Sequence, residues 1–145
     1  MATISRADVV WEGDLMSGKG RVKVASGAFN EFPVTWASRA DREKGGTSPE
    51  ELIAAAHAAC YSMALSNGLA KAGHQPERLT TSAEVEFVPG KGIASSTITV
   101  RGHIHGLSAG DFQKLAEEAK DGCPVSQALK GNVQLNLKAE LDHVH

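Results

Sequence analysis

The most informative segment of the chain, residues 48–73, reads SPEELIAAAHAACYSMALSNGLAKAG. Ser48 suits the N-cap of a helix, Pro49 suits the first helical position, and Glu51 completes a Ser-x-x-Glu capping box. Glycine commonly stands just beyond a helix end, and Gly73 occupies that place. The segment therefore predicts one long helix that starts at Pro49 and stops at Gly73.

The predicted helix is apolar on nearly every face between residues 52 and 65. A helix of that kind is buried all round. Because a chain of 145 residues has little material to wrap a long helix completely, we infer a sheet on one side and a second protein chain on another. Polar residues such as His57 and Asn67 interrupt the apolar stretch, which is too polar to span a bilayer.

Shorter elements flank this helix on both sides. A stripe of apolar residues predicts an amphipathic helix over residues 108–120, and a short helical piece is expected at 125–129. A polar loop is expected at 38–47, and strands are expected at 4–11, 21–25, 32–36, 81–88, 95–105 and 133–141. Strands in blocks with helices between them are typical of an α+β domain, and we expect a single one over residues 1–145.

Composition narrows the class of protein. The 15 basic and 17 acidic residues give a net charge of −2, and 41% of the residues are hydrophobic but only 5% are aromatic. These values exclude a wholly disordered chain and give no electrostatic footprint for nucleic acid or an anionic membrane. The first ten residues carry Arg6 and Asp8 and no apolar core of a signal peptide, so we expect a cytoplasmic protein with reduced thiols.

Two cysteines are the main candidates for chemistry. Cys60 lies in the middle of the long helix, where it is either a small buried hydrophobe or a nucleophile whose thiolate needs a nearby cation. Cys123 stands at an expected N-cap just before Pro124, where backbone N–H groups can stabilise a thiolate. The alternative for Cys123 is a capping or packing role.

The six histidines invite a search for a metal site. Three pairs of potential ligands share a helix or strand face: His57 with Cys60, His103 with His105, and His143 with His145. None matches the spacing of a closed zinc site or of a helical HExxH motif. We therefore expect no metal and no cofactor, with His57 in the core or supporting a site and the other histidines on the surface.

Several motifs together resemble the OsmC/Ohr family, the osmotically inducible and organic hydroperoxide resistance proteins. The run over residues 46–65, GTSPEELIAAAHAACYSMAL, resembles the central helix of that family. Residues 122–126, GCPVS, match its second cysteine motif, and residues 11–14 with 18–20, WEGD and GKG, resemble the OsmC branch. These motifs follow one another in the family's order across nearly the whole chain.

The resemblance implies a thiol peroxidase that acts on organic hydroperoxides. It also implies an antiparallel sheet with a long buried central helix, in an intertwined homodimer. On this basis Cys60 corresponds to the peroxidatic cysteine and Cys123 to the resolving cysteine. Glu50 falls on the glutamate at the helix start, and Arg39 falls on the arginine of the preceding loop.

The activating cation is left open between two places. The Ohr branch draws its arginine from an earlier loop, where this chain has Lys19 and Arg21. In either case the guanidinium would lower the pKa of Cys60 and bind the developing charge on the leaving oxygen, while Glu50 would orient Arg39 by a bidentate pair.

Helix geometry adds an expectation about assembly. Glu50 and Cys60 are ten residues apart, so about 15 Å separates their backbones along the helix axis. Because neither side chain spans that gap, we expect Glu50 to serve the Cys60 of another chain, in a composite site at a dimer interface. An external dithiol would then reduce the Cys60–Cys123 disulfide that the resemblance implies.

Two other functions remain open. One is a non-catalytic redox sensor or small-ligand-binding dimer with the same cysteines. The other is a metal-dependent hydrolase that uses His57 and Cys60.

Overall fold

A computed structural model describes residues 2–142 of the chain. It divides the chain into two compact units, which we call unit 1, Met1–Leu52, and unit 2, Ile53–His145. The predicted histidine pair at 143 and 145 lies outside the described residues. Within residues 2–142, no helix combines the length and apolar character that a membrane crossing requires.

Unit 1 contains a three-stranded antiparallel sheet in the order β1-β2-β3. The strands are β1 (Ala7–Glu12), β2 (Lys19–Val24) and β3 (Phe32–Val34). Gly20 pairs with Trp11 and with Val34, and a Cβ atom at Gly20 would lie 2.8 Å from the Trp11 ring and 2.9 Å from the Val34 side chain. Glycine at this position therefore leaves room for the Trp11 and Val34 side chains of the two neighbouring strands.

Helix α1, Trp36–Ala40, follows β3 and replaces part of the predicted strand and loop. The Thr35 hydroxyl accepts a hydrogen bond from the Ser38 N–H at 3.0 Å, and the Ser38 hydroxyl accepts one from the Thr35 N–H at 2.8 Å. The expectation of a strand to residue 36 and a loop from 38 is wrong because this reciprocal cap starts a helix. The third residue of this helix is Ser38, where a capping box usually has Glu or Gln, so the sequence pattern of a helix start is not recognisable.

Helix α2, Pro49–Lys71, confirms the predicted long helix and its start. Ser48 accepts a hydrogen bond from the Glu51 N–H at 3.0 Å, as an N-cap does. The Glu51 carboxylate, however, accepts from the Thr47 hydroxyl at 2.8 Å and from the Arg42 guanidinium at 2.9 Å. The predicted capping box is therefore only half formed, because two side-chain donors occupy the carboxylate.

The burial of α2 differs from the expectation. One face is buried at intervals of four residues: His57, Tyr61, Leu65 and Leu69. Another face is apolar and exposed: Ala55, Ala56, Ala59 and Met63. The expectation that α2 is buried on all sides is therefore wrong within one chain. The rest of the chain covers only one face of the helix. The helix ends as predicted, with Gly73 in the left-handed region at φ +85°.

Unit 2 holds a second three-stranded sheet in the order β4-β5-β6. Its elements in chain order, after the main part of α2, are β4 (Arg78–Val88), β5 (Gly92–His103), α3 (Ala109–Gly122), α4 (Pro124–Leu129) and β6 (Gln134–Asp142). Strands β4 and β5 are antiparallel, but β5 and β6 are parallel, with Ile98 opposite Leu137. The expected antiparallel sheet is wrong for this pair, because α3 and α4 form a crossover long enough to return the chain in the same direction.

One hydrophobic core lies within unit 2. It joins the buried face of α2 to the central strand β5 and to α3, and its buried members are Tyr61, Leu65, Leu69, Ile98, Val100, Ile104, Phe112, Ala119 and Cys123. The core thus holds the middle of α2 and the α3–α4 junction in place, which are the two positions of the cysteines.

Candidate active site

The two cysteines meet in unit 2. Cys60 lies near the middle of α2 and is partly exposed, whereas Cys123 is buried, and both are free thiols. A hydrogen bond links the two side chains. Two cysteines that are 63 positions apart in sequence are therefore neighbours in the fold, because the core packs α2 against the α3–α4 junction.

Cys123 is the single residue between the end of α3 and the start of α4. It is both the C-cap of α3 and the N-cap of α4, with extended backbone torsions of φ −64° and ψ 123°. The predicted N-cap position before Pro124 is confirmed. Its side chain, however, makes no capping hydrogen bond. The Val125 N–H, in the first turn of α4, instead donates to the sulfur of Cys60.

The surroundings of Cys60 act on its thiol in opposite directions. Burial, together with the neighbouring Cys123 side chain, raises the pKa of Cys60 above its ordinary value. The Val125 N–H opposes this effect by stabilising the thiolate. These groups all belong to unit 2, and burial is the largest of them, so together they raise the pKa of Cys60. Ionisation at neutral pH needs a cation in addition to these neighbours.

His57, one turn before Cys60 on α2, is completely buried. Its Nδ1 lies 2.6 Å from Ser96 Oγ on β5, and its Nε2 lies 2.8 Å from Ser126 Oγ on α4. Burial lowers the pKa of His57, so the ring is uncharged at neutral pH. The expected core or supporting place for His57 is confirmed, but the two serines were missed because nothing in their spacing links them to a histidine so distant in sequence.

Arg39 and Glu50 form the predicted bidentate pair within unit 1. Arg39 Nε lies 3.0 Å from Glu50 Oε1, and Arg39 Nη2 lies 2.9 Å from Glu50 Oε2. The arginine side chain is 31% exposed and the glutamate side chain 6% exposed. The two parallel hydrogen bonds of the carboxylate fix the plane of the guanidinium.

The alternative cations have different surroundings. Lys19 and Arg21 belong to β2 rather than to a loop. Arg21 lies 3.5 Å from Glu12 and 3.1 Å from Glu31, and these three side chains are between 47% and 70% exposed. These ion pairs lie at the surface, so they orient Arg21 less firmly than the buried Glu50 carboxylate orients Arg39.

His103, the last residue of β5, and His105, in the turn after that strand, share one carboxylate partner. His103 Nε2 lies 3.2 Å from Glu77 Oε2, and His105 Nε2 lies 2.6 Å from Glu77 Oε1. Within residues 2–142, no three His, Cys, Asp or Glu side chains are placed to hold a metal ion.

One protein-family model and several known proteins are similar to this chain in sequence. The family model described as OsmC-like protein matches residues 41–138. Peroxiredoxin OsmC of Escherichia coli K12 is 44% identical over 131 residues, which cover 88% of this chain and 91% of that protein. An organic hydroperoxide resistance protein of Xanthomonas axonopodis is 31% identical over 98 residues, or 63% of this chain and 66% of that protein.

Solved structures share the fold. The organic hydroperoxide resistance protein OsmC of Legionella pneumophila is 26% identical with a TM-score of 0.69, covering 96% of this chain and 99% of that chain. An OsmC-like protein of Mycoplasma pneumoniae is 15% identical with a TM-score of 0.74, covering 99% and 100% of the two chains. The solved structures share the fold, and the family model and the E. coli relative lead to one conclusion: the chain belongs to the OsmC/Ohr family of OsmC-like proteins.

Proposed function

We propose that this protein is a thiol-dependent peroxidase that reduces organic hydroperoxides, and hydrogen peroxide more weakly. The observation that carries the proposal is the contact between the Cys60 and Cys123 side chains. A partly exposed thiol that touches a buried thiol is arranged for oxidation at the first and resolution by the second. The names of the E. coli and Xanthomonas relatives support the same chemistry.

The reaction proceeds in three balanced steps. The Cys60 thiolate attacks one peroxide oxygen, the O–O bond breaks, and the other oxygen leaves as an alcohol after taking a proton. The Cys123 sulfur then attacks the Cys60 sulfenic acid, which forms the disulfide and releases water. An external dithiol reduces the disulfide by exchange and becomes a disulfide itself, which restores both protein thiols.

The first step needs a cation, and the groups that act on the Cys60 thiol among the described residues of unit 2 are burial, Cys123 and the Val125 N–H. We assign this task to Arg39, oriented by Glu50, because a firmly held guanidinium lowers the pKa of a thiol and stabilises a leaving oxyanion. Glu50 and Cys60 lie about 15 Å apart along α2. The Arg39–Glu50 pair that serves each Cys60 therefore comes from the partner chain.

A homodimer with a composite site follows from this assignment. The apolar, exposed face of α2 supports it, since a water-facing row of alanines with Met63, 73% exposed, is suited to burial against a second copy. The same apolar surroundings suit the hydrocarbon part of an organic hydroperoxide, and they include Ala56, Ala59 and Met63 on the same helix as Cys60. This favours alkyl peroxides over hydrogen peroxide.

Steady-state turnover of tert-butyl hydroperoxide with dithiothreitol tests the proposal. Cys60→Ser should reduce turnover to the uncatalysed rate. Cys123→Ser should still consume one equivalent of peroxide and trap a sulfenic acid at Cys60, which dimedone labels and mass spectrometry detects. A Cys60→Ser protein that keeps wild-type turnover contradicts the proposal.

Sedimentation velocity tests the composite site. Ala59→Glu places a charge on the exposed face of α2 and should yield monomers with little turnover, while Lys91→Glu, in the β4–β5 turn, should change neither property. A monomer that retains full turnover rules out the shared site but leaves the cysteine chemistry intact.

A redox sensor is the second candidate, and the raised pKa of Cys60 favours it. A thiol that stays protonated reacts slowly with peroxide and fits a protein that is oxidised once and recycled inefficiently. One disulfide per chain without multiple turnovers, under the same assay, would favour the sensor over the peroxidase.

A further inference from the structure

His57 is a buried titratable group to which the proposed chemistry gives no task. Both ring nitrogens lie within hydrogen-bond distance of hydroxyls, Ser96 Oγ at 2.6 Å and Ser126 Oγ at 2.8 Å. Losing one partner of a buried polar group costs more than a surface hydrogen bond is worth. The ring therefore acts as a fixed link between α2, β5 and α4.

Each end of this link is three residues from a cysteine in the sequence: His57 from Cys60, and Ser126 from Cys123. His57 precedes Cys60 by three residues, so the two share a face of α2. Ser126 follows Cys123 by three residues, and between them Val125 donates its N–H to the sulfur of Cys60. The serine that binds the ring and the groups that contact the Cys60 thiol thus belong to one short turn.

We infer that His57 is a positioning residue for the Cys60–Cys123 redox pair, because through Ser126 it holds the turn that carries Cys123 against Cys60. The inference deepens the proposed function and rests on it for the identity of the redox pair. The Ser96 contact orients the ring, and the Ser126 contact fixes the turn. Holding one thiol beside another raises their effective concentration and favours the disulfide.

The quantity to measure is the equilibrium between dithiol and disulfide in glutathione buffers, using the full chain. One oxidised glutathione converts the two protein thiols into a disulfide, and the two hydrogens leave on two reduced glutathione molecules. Mass spectrometry after acid quenching and alkylation gives the ratio of the two forms. No peroxide takes part, so the readout does not depend on peroxidase turnover.

Ser126→Ala removes the hydroxyl that faces His57 Nε2. We expect the equilibrium constant for oxidation to fall about tenfold, or about 30 mV in reduction potential. Ser62→Ala is the matched control: it removes a hydroxyl from α2 two residues after Cys60, but that hydroxyl lies 2.7 Å from Thr81 Oγ1 on β4. The control should shift the equilibrium less than about twofold.

Two amide variants of His57 separate the two contacts. The amide of His57→Gln reaches about as far as Nε2 and should keep the Ser126 contact and the wild-type equilibrium. The amide of His57→Asn reaches only about as far as Nδ1 and should lower the equilibrium as Ser126→Ala does.

Equal shifts in Ser126→Ala and Ser62→Ala overturn the inference, and so do equal shifts in His57→Gln and His57→Asn. A wild type that forms no Cys60–Cys123 disulfide overturns both the inference and the proposed function. A wild type without peroxide turnover, whose variants still shift as expected, keeps the inference and removes the peroxidase.

Discussion

Unit 2 contains every buried hydrophobic side chain of residues 2–142 except Val22, whereas unit 1 exposes large apolar side chains such as Val9, Val10 and Leu15. Both cysteines belong to unit 2, and the Arg39–Glu50 pair belongs to unit 1. The proposed nucleophile, Cys60, thus belongs to the unit in which packing provides rigidity, while the proposed cation is held by a carboxylate. Two different physical devices, core packing and charge pairing, provide rigidity to the two halves of the proposed chemistry.

The largest expected difference between the units is the free energy of unfolding that is lost when a buried side chain is truncated. Leu65→Ala removes a completely buried side chain from the core of unit 2 and should lower the free energy of unfolding by about 2–5 kcal/mol. Val22→Ala should cost less than about 2 kcal/mol, since fewer methyl groups are lost. Urea denaturation of both variants gives the comparison. Equal losses would show that unit 1 depends on packing as much as unit 2 does.

The next prediction concerns the charge that we propose unit 1 contributes to the reaction. Arg39→Gln should lower kcat/KM for tert-butyl hydroperoxide at pH 7 about 100-fold, because the Cys60 thiolate and the leaving oxygen lose their cation. Part of the loss should be recovered at higher pH as Cys60 ionises. Arg42→Gln is the matched control, since Arg42 pairs with Glu51 in an exposed pair at 2.9 Å and should change the rate less than about fivefold.

The outcome that would count against Arg39 is a pH–rate profile identical to that of the wild type. A loss on Arg21→Gln in place of Arg39→Gln would move the cation to the second strand of unit 1.

A smaller effect is expected from pH. Burial lowers the pKa of His57 below its ordinary value of about 6.5, so the unfolded chain binds a proton there more readily than the folded chain. This contribution to stability is complete above pH 6.5 and is lost as the pH falls, by at most about 1.4 kcal/mol per pH unit. Denaturation at pH 7.5 and pH 5 measures it, and His57→Gln should reduce the pH dependence. A variant with an unchanged pH dependence would assign the titration to other groups.

The smallest expected effect is local and should be equal in the two units. Gly73 and Gly27 both have positive φ, +85° and +71°, and a Cβ atom at either position meets no atom within 4 Å. Gly73→Ala and Gly27→Ala should therefore each cost about 1 kcal/mol through backbone strain alone. A clearly larger loss at one position would reveal an interaction beyond the turn itself.

Local signals in the sequence account for much of what the structure contains. The helix after Ser48 was predictable because its cap, its proline and its terminal glycine all act within a few residues. Helix α1 escaped prediction because a serine replaces the usual acidic residue of its cap. The parallel pairing of β5 with β6 was missed because strand direction depends on the path of the crossover and not on either strand.

The candidate site divides in the same way. The Arg39–Glu50 pair was expected from a family resemblance, and the structure contains it. The binding of Ser96 and Ser126 to His57 was not predictable, since long-range hydrogen bonds leave no periodic trace in a sequence. Nor could the sequence show that the free N–H of the α4 start serves Cys60 and not Cys123.

The position of Cys123 between two helices has a mechanical consequence. Its N–H closes α3 on Ala119 at 2.9 Å, and its carbonyl accepts the first backbone hydrogen bond of α4, from Gln127 at 3.0 Å. The torsions of this one residue connect two otherwise complete hydrogen-bond ladders. The backbone of Cys123 is therefore held from both sides, and a change in its φ or ψ would turn one helix against the other.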